Sequence, residues 1–262
     1  TKPDSEPVPN QQKGDSGGKP ESPDGGPNAD SEIDTTLSVD ERRFLTEVVT
    51  TVNGRHPTFD ILDSMAAIKN QFSDIDLEKL EDLGYLEVHE DLSRIYYTVT
   101  GDGQMACGAS VATGENQGDV NEKTVHKVLV EALARSLAND RTNQYFISKY
   151  SLIDDGAAKP DLAAYDGEQL ALIGEAISNS PPYLIVKHFD DYNAVAAERK
   201  VWIVPNISVA WEIVRALSNA GRIGELPAKR EGLTYDDLNA EIWGENSDWE
   251  FAGGRELIRE LE

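Results

Sequence analysis

Two short apolar runs separated by a tight turn constrain this chain more than any other feature of its sequence. The first run begins at Asp161 and the second ends at Glu175, with Asp166 and Gly167 between them. An Asp-Gly pair between two runs of strand length predicts a β-hairpin. Antiparallel pairing brings the start of one strand beside the end of the other, so we expect both carboxylates at the same end of a sheet.

Further predicted elements surround this hairpin and give the region an α/β pattern. The helical spacing of apolar residues predicts a helix over about 120–139, and further helices are predicted over about 182–197 and 209–217. Strands are predicted at "YFISKYSLI" and "VWIVPN". Helix, three strands, helix, strand and helix predict an α/β domain over residues 118–218. Residues 219–262 then form a C-terminal extension of uncertain structure.

The first 36 residues have the composition of a disordered segment. They hold six of the twelve prolines, five glycines and eight acidic residues. So few large apolar side chains cannot offset the entropy lost on ordering, and we predict a disordered acidic linker over residues 1–36. The chain begins at Thr rather than Met, so we expect it to be the end of a longer protein.

Residues 37–107 carry the pattern of a winged helix-turn-helix. Ser38 and Glu41 have the spacing of a capping box at the start of a first helix. Two further short helices are predicted around 59–68 and 75–83, the latter ending before Gly84. The alternating runs "YLEVHE" and "RIYYTVT" predict a two-stranded wing. Overall, the sequence predicts an α+β protein made of a winged helix followed by an α/β domain.

The charge of the chain bears on its partners and its environment. Asp and Glu number 48 against 24 Lys and Arg, a formal net charge of -24. Phosphate binding depends on Lys and Arg, so such an excess of acid disfavours polyanions. Because strong screening reduces charge repulsion, a dispersed acidic surface also suits a cytoplasm of very high salt concentration. We expect a salt-adapted protein, with an acidic mesophilic protein as the alternative.

The predicted winged helix has few groups that could bind DNA. Its third helix, "DIDLEKLEDL", carries five carboxylates and one lysine. In DNA-binding winged helices the third helix enters the major groove and the wing contacts phosphate, so this helix would repel DNA. We therefore expect the predicted winged helix to bind another protein rather than to recognise a DNA sequence. The candidate nucleic-acid-binding residues are Arg42, Arg43, Arg55 and Arg94.

Several other functional classes find no support in the sequence. A single cysteine, Cys107, rules out an intrachain disulfide, and no apolar run approaches the length of a membrane span. The four histidines lack zinc-ligand spacing with Cys107 or with one another. No glycine-rich segment carries the lysine of a nucleotide-binding loop. We expect a cytoplasmic protein without an evident small-molecule ligand.

The order of the acidic residues in the α/β region resembles a known superfamily. Glu122 at the start of a helix, Pro160-Asp161 on a strand and Glu175 closing the next strand resemble the restriction-endonuclease-like, or PD-(D/E)xK, superfamily. The segments "GDVNEKTVHKVLVEALA", "KPDLAAYDG", "IGEAIS" and "VWIVPN", after a winged helix, look like the C-terminal region of haloarchaeal conjugation- or plasmid-type ATPases. The resemblance implies Mg²⁺ held by Glu122, Asp161 and Glu175, which are oxygen ligands of the kind that Mg²⁺ prefers.

One position departs from the superfamily pattern. The third motif of the superfamily ends in Glu-x-Lys, whereas Glu175 here is followed two residues later by Ile177. Lys187, in the following helix, is the candidate for a displaced lysine beside the catalytic carboxylates Asp161 and Glu175. Without a lysine in the cleft, the resemblance implies the fold with impaired catalysis.

Three functional hypotheses follow. The first is an accessory DNA-processing or assembly module of a haloarchaeal plasmid or conjugation system, which contacts DNA, a conjugation-type ATPase or another copy of itself. The second is an active Mg²⁺-dependent DNA endonuclease. The third is a winged-helix transcriptional regulator.

Overall fold

The computed structural model describes residues 37–114, 117–118, 122–153, 158–226, 231–243 and 248–262. Within these ranges the protein is a mixed α/β structure with one two-stranded sheet and one five-stranded sheet. The predicted linker, residues 1–36, lies outside the described residues. Among the residues described, none forms a helix that combines the length and the apolar character needed to cross a membrane.

The N-terminal part contains four helices and a hairpin. Their bounds are α1 Val39–Val52, α2 Met65–Lys69, α3 Leu77–Asp82, β1 Leu86–His89, β2 Tyr96–Val99 and α4 Gly101–Cys107. The predicted capping box is confirmed, because the Ser38 hydroxyl accepts from the Glu41 amide and the Glu41 carboxylate accepts from the Ser38 amide. The predicted hairpin is also confirmed, with β1 and β2 pairing antiparallel.

Helix α4 was not expected from the sequence, because two of its seven residues are glycines and glycine is a poor helix former. Thr100 caps it by accepting from the Gly103 amide. A Cβ at Gly103 would lie 2.2 Å from the Tyr85 carbonyl oxygen. Glycine therefore allows the helix to pack directly against the backbone at the start of the hairpin.

The C-terminal part is built on the five-stranded sheet. Its elements are α5 Thr124–Ala138, β3 Phe146–Lys149, β4 Leu162–Asp166, β5 Gln169–Ala176, α6 Pro182–Asn193, β6 Arg199–Val204, α7 Ile207–Asn219, α8 Tyr235–Leu238, a π-helical turn Asn239–Trp243, β7 Trp249–Gly253 and α9 Gly254–Glu260. The strand order is β3-β4-β5-β6-β7. The first three strands are antiparallel, and β5, β6 and β7 are parallel.

The β4–β5 hairpin forms as predicted. Asp166 pairs with Gln169 across a two-residue turn, and Gly167 has φ 60°, a left-handed conformation that favours glycine. At the other end Leu162 pairs with Gly174. Asp161 and Glu175 therefore lie at the same end of the sheet, where the side chains of opposite residues project from the same face.

Apolar side chains cover both faces of the sheet. On one face, α5 packs in a core that continues into α1, α2, α3 and the β1–β2 hairpin. On the other face lie α6 and α7, with Phe189, Trp202 and Trp249 in a stack of aromatic rings. The sequence predicts no definite structure for residues 219–262, and the described part of this segment supplies part of the second core and the edge strand β7.

Candidate metal-binding cleft

A cleft of about 370 Å³ opens at the end of the sheet where β4 begins and β5 ends. The start of α5 and the first half of α6 form its other walls. Its charged and aromatic lining residues are Glu122, Lys123, His126, Tyr150, Lys159, Asp161, Glu175 and His188. The cleft therefore contains all three carboxylates that the sequence identifies as candidate ligands.

Three side chains converge in this cleft closely enough to share one ion. Glu122, His126 and Asp161 each offer one ligand atom, and these atoms lie within 4.8 Å of one another. His126 Nε2 is 3.2 Å from Asp161 Oδ1 and 3.8 Å from Glu122 Oε2. Glu122 precedes α5 and His126 lies in its first turn, four residues later, a separation that brings side chains together on a helix.

The Asp161 carboxylate is oriented by the neighbouring strand. Its Oδ2 atom accepts a hydrogen bond of 2.8 Å from the amide of Ala176 on β5. This bond leaves Oδ1 directed at His126. The side chain of Asp161 is only 11% exposed, so its position depends on the protein rather than on solvent.

The electrostatics of the cleft favour a positive charge at its centre. Burial alone would lower the pKa of His126, but the nearby carboxylates, Asp161 first, outweigh burial and raise this pKa to about 9. The imidazolium form thus holds a proton at the place where a divalent cation could neutralise the same carboxylates. Either a proton on His126 or a bound cation can therefore offset the negative charge of these carboxylates.

Glu175 has a different environment from the one expected for a metal ligand. Its Oε1 atom lies 2.6 Å from His188 Nδ1, and its Oε2 atom accepts a hydrogen bond of 2.8 Å from the Tyr192 hydroxyl. Burial, and then repulsion from Asp161, raise the pKa of Glu175 despite these two partners. Both carboxylate oxygens are therefore engaged by α6, and Glu175 is not one of the three clustered ligands.

The position of the missing lysine is filled by a core residue. Ile177 is 2% exposed and packs with the apolar residues of the α6 face. Its amide donates to the Ile203 carbonyl at the edge of β6. Ile177 borders the cleft but supplies no positive charge to it.

Lys187 does not replace the missing lysine. Its side chain is 62% exposed and forms an ion pair of 2.6 Å with Asp191, one turn further along α6. It is not among the residues that line the cleft, so the structure does not support the expectation that Lys187 is a displaced catalytic lysine. Successive residues of an α-helix point about 100° apart around its axis. The neighbouring His188 therefore faces the cleft while Lys187 faces away from it. No role was predicted for His188 from the sequence.

The four arginines proposed to bind nucleic acid lie in different environments. Arg94 donates to the Leu62 carbonyl oxygen at 2.7 Å and pairs with Glu262 at 2.5 Å, so its guanidinium is engaged within the protein. Arg42 and Arg43 lie in the first half of α1, and Arg43 covers the ring of Phe72. The exposed Arg55 follows the other end of that helix, about 14 Å further along its axis.

The tip of the β1–β2 hairpin is anchored to the rest of the protein by one buried residue. Leu92, at the tip of the β1–β2 hairpin, is 1% exposed, and a Cβ at Gly254 would lie 3.1 Å from it. The adjacent Asp91 carbonyl oxygen accepts a hydrogen bond from Arg255 at 3.0 Å. At the base of the hairpin, Glu87 pairs with Lys123 at 2.7 Å, just before α5. These contacts hold the hairpin in place, while Glu90, Asp91 and Ser93 at its tip stay exposed and present acidic side chains rather than basic ones.

The donor set of the cleft fits a divalent cation. Two carboxylates and one neutral imidazole are a common ligand set for first-row transition metals, whereas Mg²⁺ prefers oxygen ligands alone. His126 was not predicted as a ligand, although its separation of four residues from Glu122 is a signal in the sequence that could have identified it. No family model matches the chain, and no curated protein matches it closely enough to count as a relative.

Proposed function

We propose that this protein is a divalent-cation-binding, DNA-processing module made of a winged helix and a restriction-endonuclease-like domain. The element order supports this proposal. Helix α5, the antiparallel strands β3, β4 and β5, helix α6 and the parallel strand β6 agree with the order of elements that the resemblance to the PD-(D/E)xK superfamily implies. The second and third motifs of that superfamily then correspond to the carboxylates of Asp161 and Glu175.

The convergence of Glu122, His126 and Asp161 carries the proposal. Three ligand atoms within 4.8 Å of one another, on side chains that are each less than 15% exposed, form a site that the fold has already assembled. Exposed acidic groups are scattered over a chain of this charge, but a buried imidazole between two carboxylates is not explained by surface acidity. Buried charges are normally paired or coordinate a metal.

The imidazole of His126 determines which cation we expect. A nitrogen ligand favours Mn²⁺ or a later first-row metal over Mg²⁺. A divalent cation bound here would polarise a phosphoryl oxygen and lower the pKa of a bound water. The expectation of Mg²⁺ from oxygen ligands alone is replaced by an expectation of Mn²⁺.

The remaining residues of the cleft are consistent with slow hydrolysis of phosphodiester bonds. Lys159 and His188 line the cleft and can place positive charge beside a phosphate. Neither occupies the strand position where the superfamily has its lysine, and Ile177 there supplies no charge. Removing one stabilising group from a transition state typically costs about 10²–10³ in rate. We therefore expect weak cleavage, which accords with an accessory role in a plasmid or conjugation system.

Cleavage of supercoiled plasmid in molar KCl tests the proposal. We expect nicking by the wild-type chain with Mn²⁺, less nicking with Mg²⁺, and none by Asp161→Ala. The control is Asp166→Asn, which changes a carboxylate at the opposite end of the same hairpin and should nick like the wild type. Equal activity in the wild type and Asp161→Ala would contradict the proposed site.

The acidic surface and the anchored β1–β2 hairpin favour a role in assembly with a partner protein over a role in transcriptional regulation. Helix α3 exposes Glu78, Glu81 and Asp82, and its Lys79 is held by Glu41. A surface of this charge suits a basic partner protein, such as a conjugation-type ATPase, better than a DNA groove. The transcriptional regulator would need a free wing and a basic third helix, and it is the least supported of the three hypotheses.

A further inference from the structure

Tyr150 has an unusual backbone conformation beside the cleft. Its φ is 55°, and among the described non-glycine residues only Ser93 shares a positive φ. Bulky residues rarely adopt this conformation, which is strained and persists where the surroundings impose it. The residue is 7% exposed, so the conformation is a property of the packed interior.

The left-handed conformation puts Tyr150 on the face of the sheet that carries the cation site. Side chains alternate between faces along a strand. Phe146 lies against Tyr165 on one face, whereas Lys149 pairs with Glu131 of α5 on the other. Regular alternation would direct residue 150 to the face of Phe146. The change in backbone conformation instead leaves Tyr150 on the α5 face, directly after Lys149.

On that face, Tyr150 contacts all three members of the cluster. Its hydroxyl shares the cleft with the Glu122 carboxylate, which is the main cause, after burial, of the raised pKa of Tyr150. Its ring is stacked with the ring of His126, with centroids 6.4 Å apart and planes inclined by 23°. Its backbone amide donates to the Asp161 carbonyl oxygen at 3.0 Å. Tyr150 thus lies against the Glu122 carboxylate, the His126 imidazole and the strand that carries Asp161.

We propose that Tyr150 is the positioning residue of the cation site, and that its strained backbone is retained for this purpose. The inference rests on the cation site proposed above. A residue that orients metal ligands typically contributes 10–100-fold to metal affinity, because free ligands must otherwise be ordered when the ion binds. Tyr150 acts through the ligands and does not itself contact the ion.

Titration of the protein with Mn²⁺ by calorimetry, in molar KCl, tests this role. Tyr150→Phe keeps the ring and removes the hydroxyl, so we expect Mn²⁺ to bind about tenfold or more weakly. A larger truncation is less informative, because the Tyr150 ring also lines a second cavity, of about 430 Å³, that a smaller side chain would join to the cleft. The control is Tyr165→Phe, a tyrosine of β4 that faces away from the cleft and should bind Mn²⁺ like the wild type.

A double-mutant cycle separates positioning from a general effect on folding. If the hydroxyl acts through Glu122, then Tyr150→Phe should weaken Mn²⁺ binding less than twofold when Glu122→Gln is already present. A structural defect would weaken binding by the same factor in both backgrounds and would overturn the proposal. Far-UV circular dichroism verifies that each variant is folded.

The two proposals fail in different ways. If the wild type does not bind Mn²⁺, the cation site itself is wrong and the role of Tyr150 falls with it. If the wild type binds Mn²⁺ and Tyr150→Phe binds it equally well, only the positioning role is wrong.

Discussion

His126 changes the chemistry of the cleft because it places a nitrogen atom between two carboxylates. Without it, Glu122 and Asp161 would be two acids near a sheet end on an already acidic protein. With it, the three ligand atoms form one compact group. The imidazole also lies four residues, about one helical turn, after Glu122. Both side chains therefore face the cleft from the same side of α5.

A buried carboxylate outside the cleft, Glu41, makes stability depend on pH. It is 3% exposed and accepts hydrogen bonds of 2.8 and 2.9 Å from Lys79 of α3. Burial alone would raise its pKa, but the hydrogen bonds from Lys79 and Ser38 prevail and lower the pKa below its ordinary value of 4.5. A carboxylate with a lowered pKa stabilises the fold above its unfolded pKa and loses that contribution as the pH falls through the folded value.

We therefore expect Glu41→Gln to lower the free energy of unfolding by about 1 kcal/mol or more at pH 7, because a charge-assisted hydrogen bond is lost. The difference from the wild type should shrink below about pH 4.5. Urea denaturation at several pH values measures it. The exposed Glu78→Gln serves as the control, and a difference independent of pH would contradict this assignment.

The sequence predicts some site residues and misses others for physical reasons. Asp161 and Glu175 meet because a two-residue turn fixes the register of a hairpin, and a turn is local information. Whether Lys187 or His188 faces the cleft depends on how α6 is rotated against the sheet, which distant contacts decide. The roles of Tyr150 and Tyr192 depend on those same contacts, and no spacing in the sequence reveals them.

At the scale of elements, the β1–β2 hairpin joins the two halves of the protein. Its tip residue Leu92 packs beside Gly254 and Leu129, so the hairpin contacts both α9 and α5. A Cβ at Gly254 would lie 2.2 Å from Leu129 Cδ2, which shows how closely these elements approach. The hairpin therefore acts as a brace between α5 and the N-terminal helices.

We expect Leu92→Ala to lower the free energy of unfolding by roughly 2–5 kcal/mol, because it leaves a cavity between the hairpin and two helices. Chemical denaturation followed by tryptophan fluorescence measures the loss, since all four tryptophans lie in the C-terminal part. A comparable substitution at an exposed leucine, Leu83→Ala, should cost far less. If both variants lost the same stability, the tip of the hairpin would not be a buried contact.

Element boundaries follow from the sequence where the signal is local. The capping box of α1 and both predicted hairpins form as expected, since each depends on neighbouring residues. Strand β7 was not expected, because its pairing with β6 joins segments about fifty residues apart and only the packed sheet selects it. Helix α4 was missed because its glycines reduce helix propensity, and packing against Tyr85 supplies the compensation.

At the scale of the whole molecule, the net charge of -24 should make stability depend on salt. Repulsion among dispersed carboxylates opposes the compact state, and the screening length falls from about 10 Å at 0.1 M salt to about 3 Å at 1 M. We expect the thermal unfolding midpoint to rise with KCl, with most of the gain below about 1 M. An equimolar sucrose series controls for solute exclusion, and a midpoint that stays constant or falls in KCl would contradict the salt-adapted interpretation.

The described part of the protein behaves as one packed body in which the N-terminal helices and one face of the sheet share a core. The cleft lies where α5, β4, β5 and α6 meet, so the elements that hold the proposed ligands are themselves held by that core. A site of this kind keeps its geometry without a bound ion. We therefore expect the cation to bind with little change of structure.

The location of a bound cation tests the central claim most directly. Crystals of the protein grown with MnCl₂ in molar KCl, and measured at the manganese absorption edge, would reveal each Mn²⁺ ion as an anomalous scattering peak. We predict a peak in the cleft, in direct contact with His126 Nε2 and with carboxylate oxygens of Glu122 and Asp161. A cleft without such a peak, while Mn²⁺ ions occupy other acidic groups of the same crystal, would contradict the account.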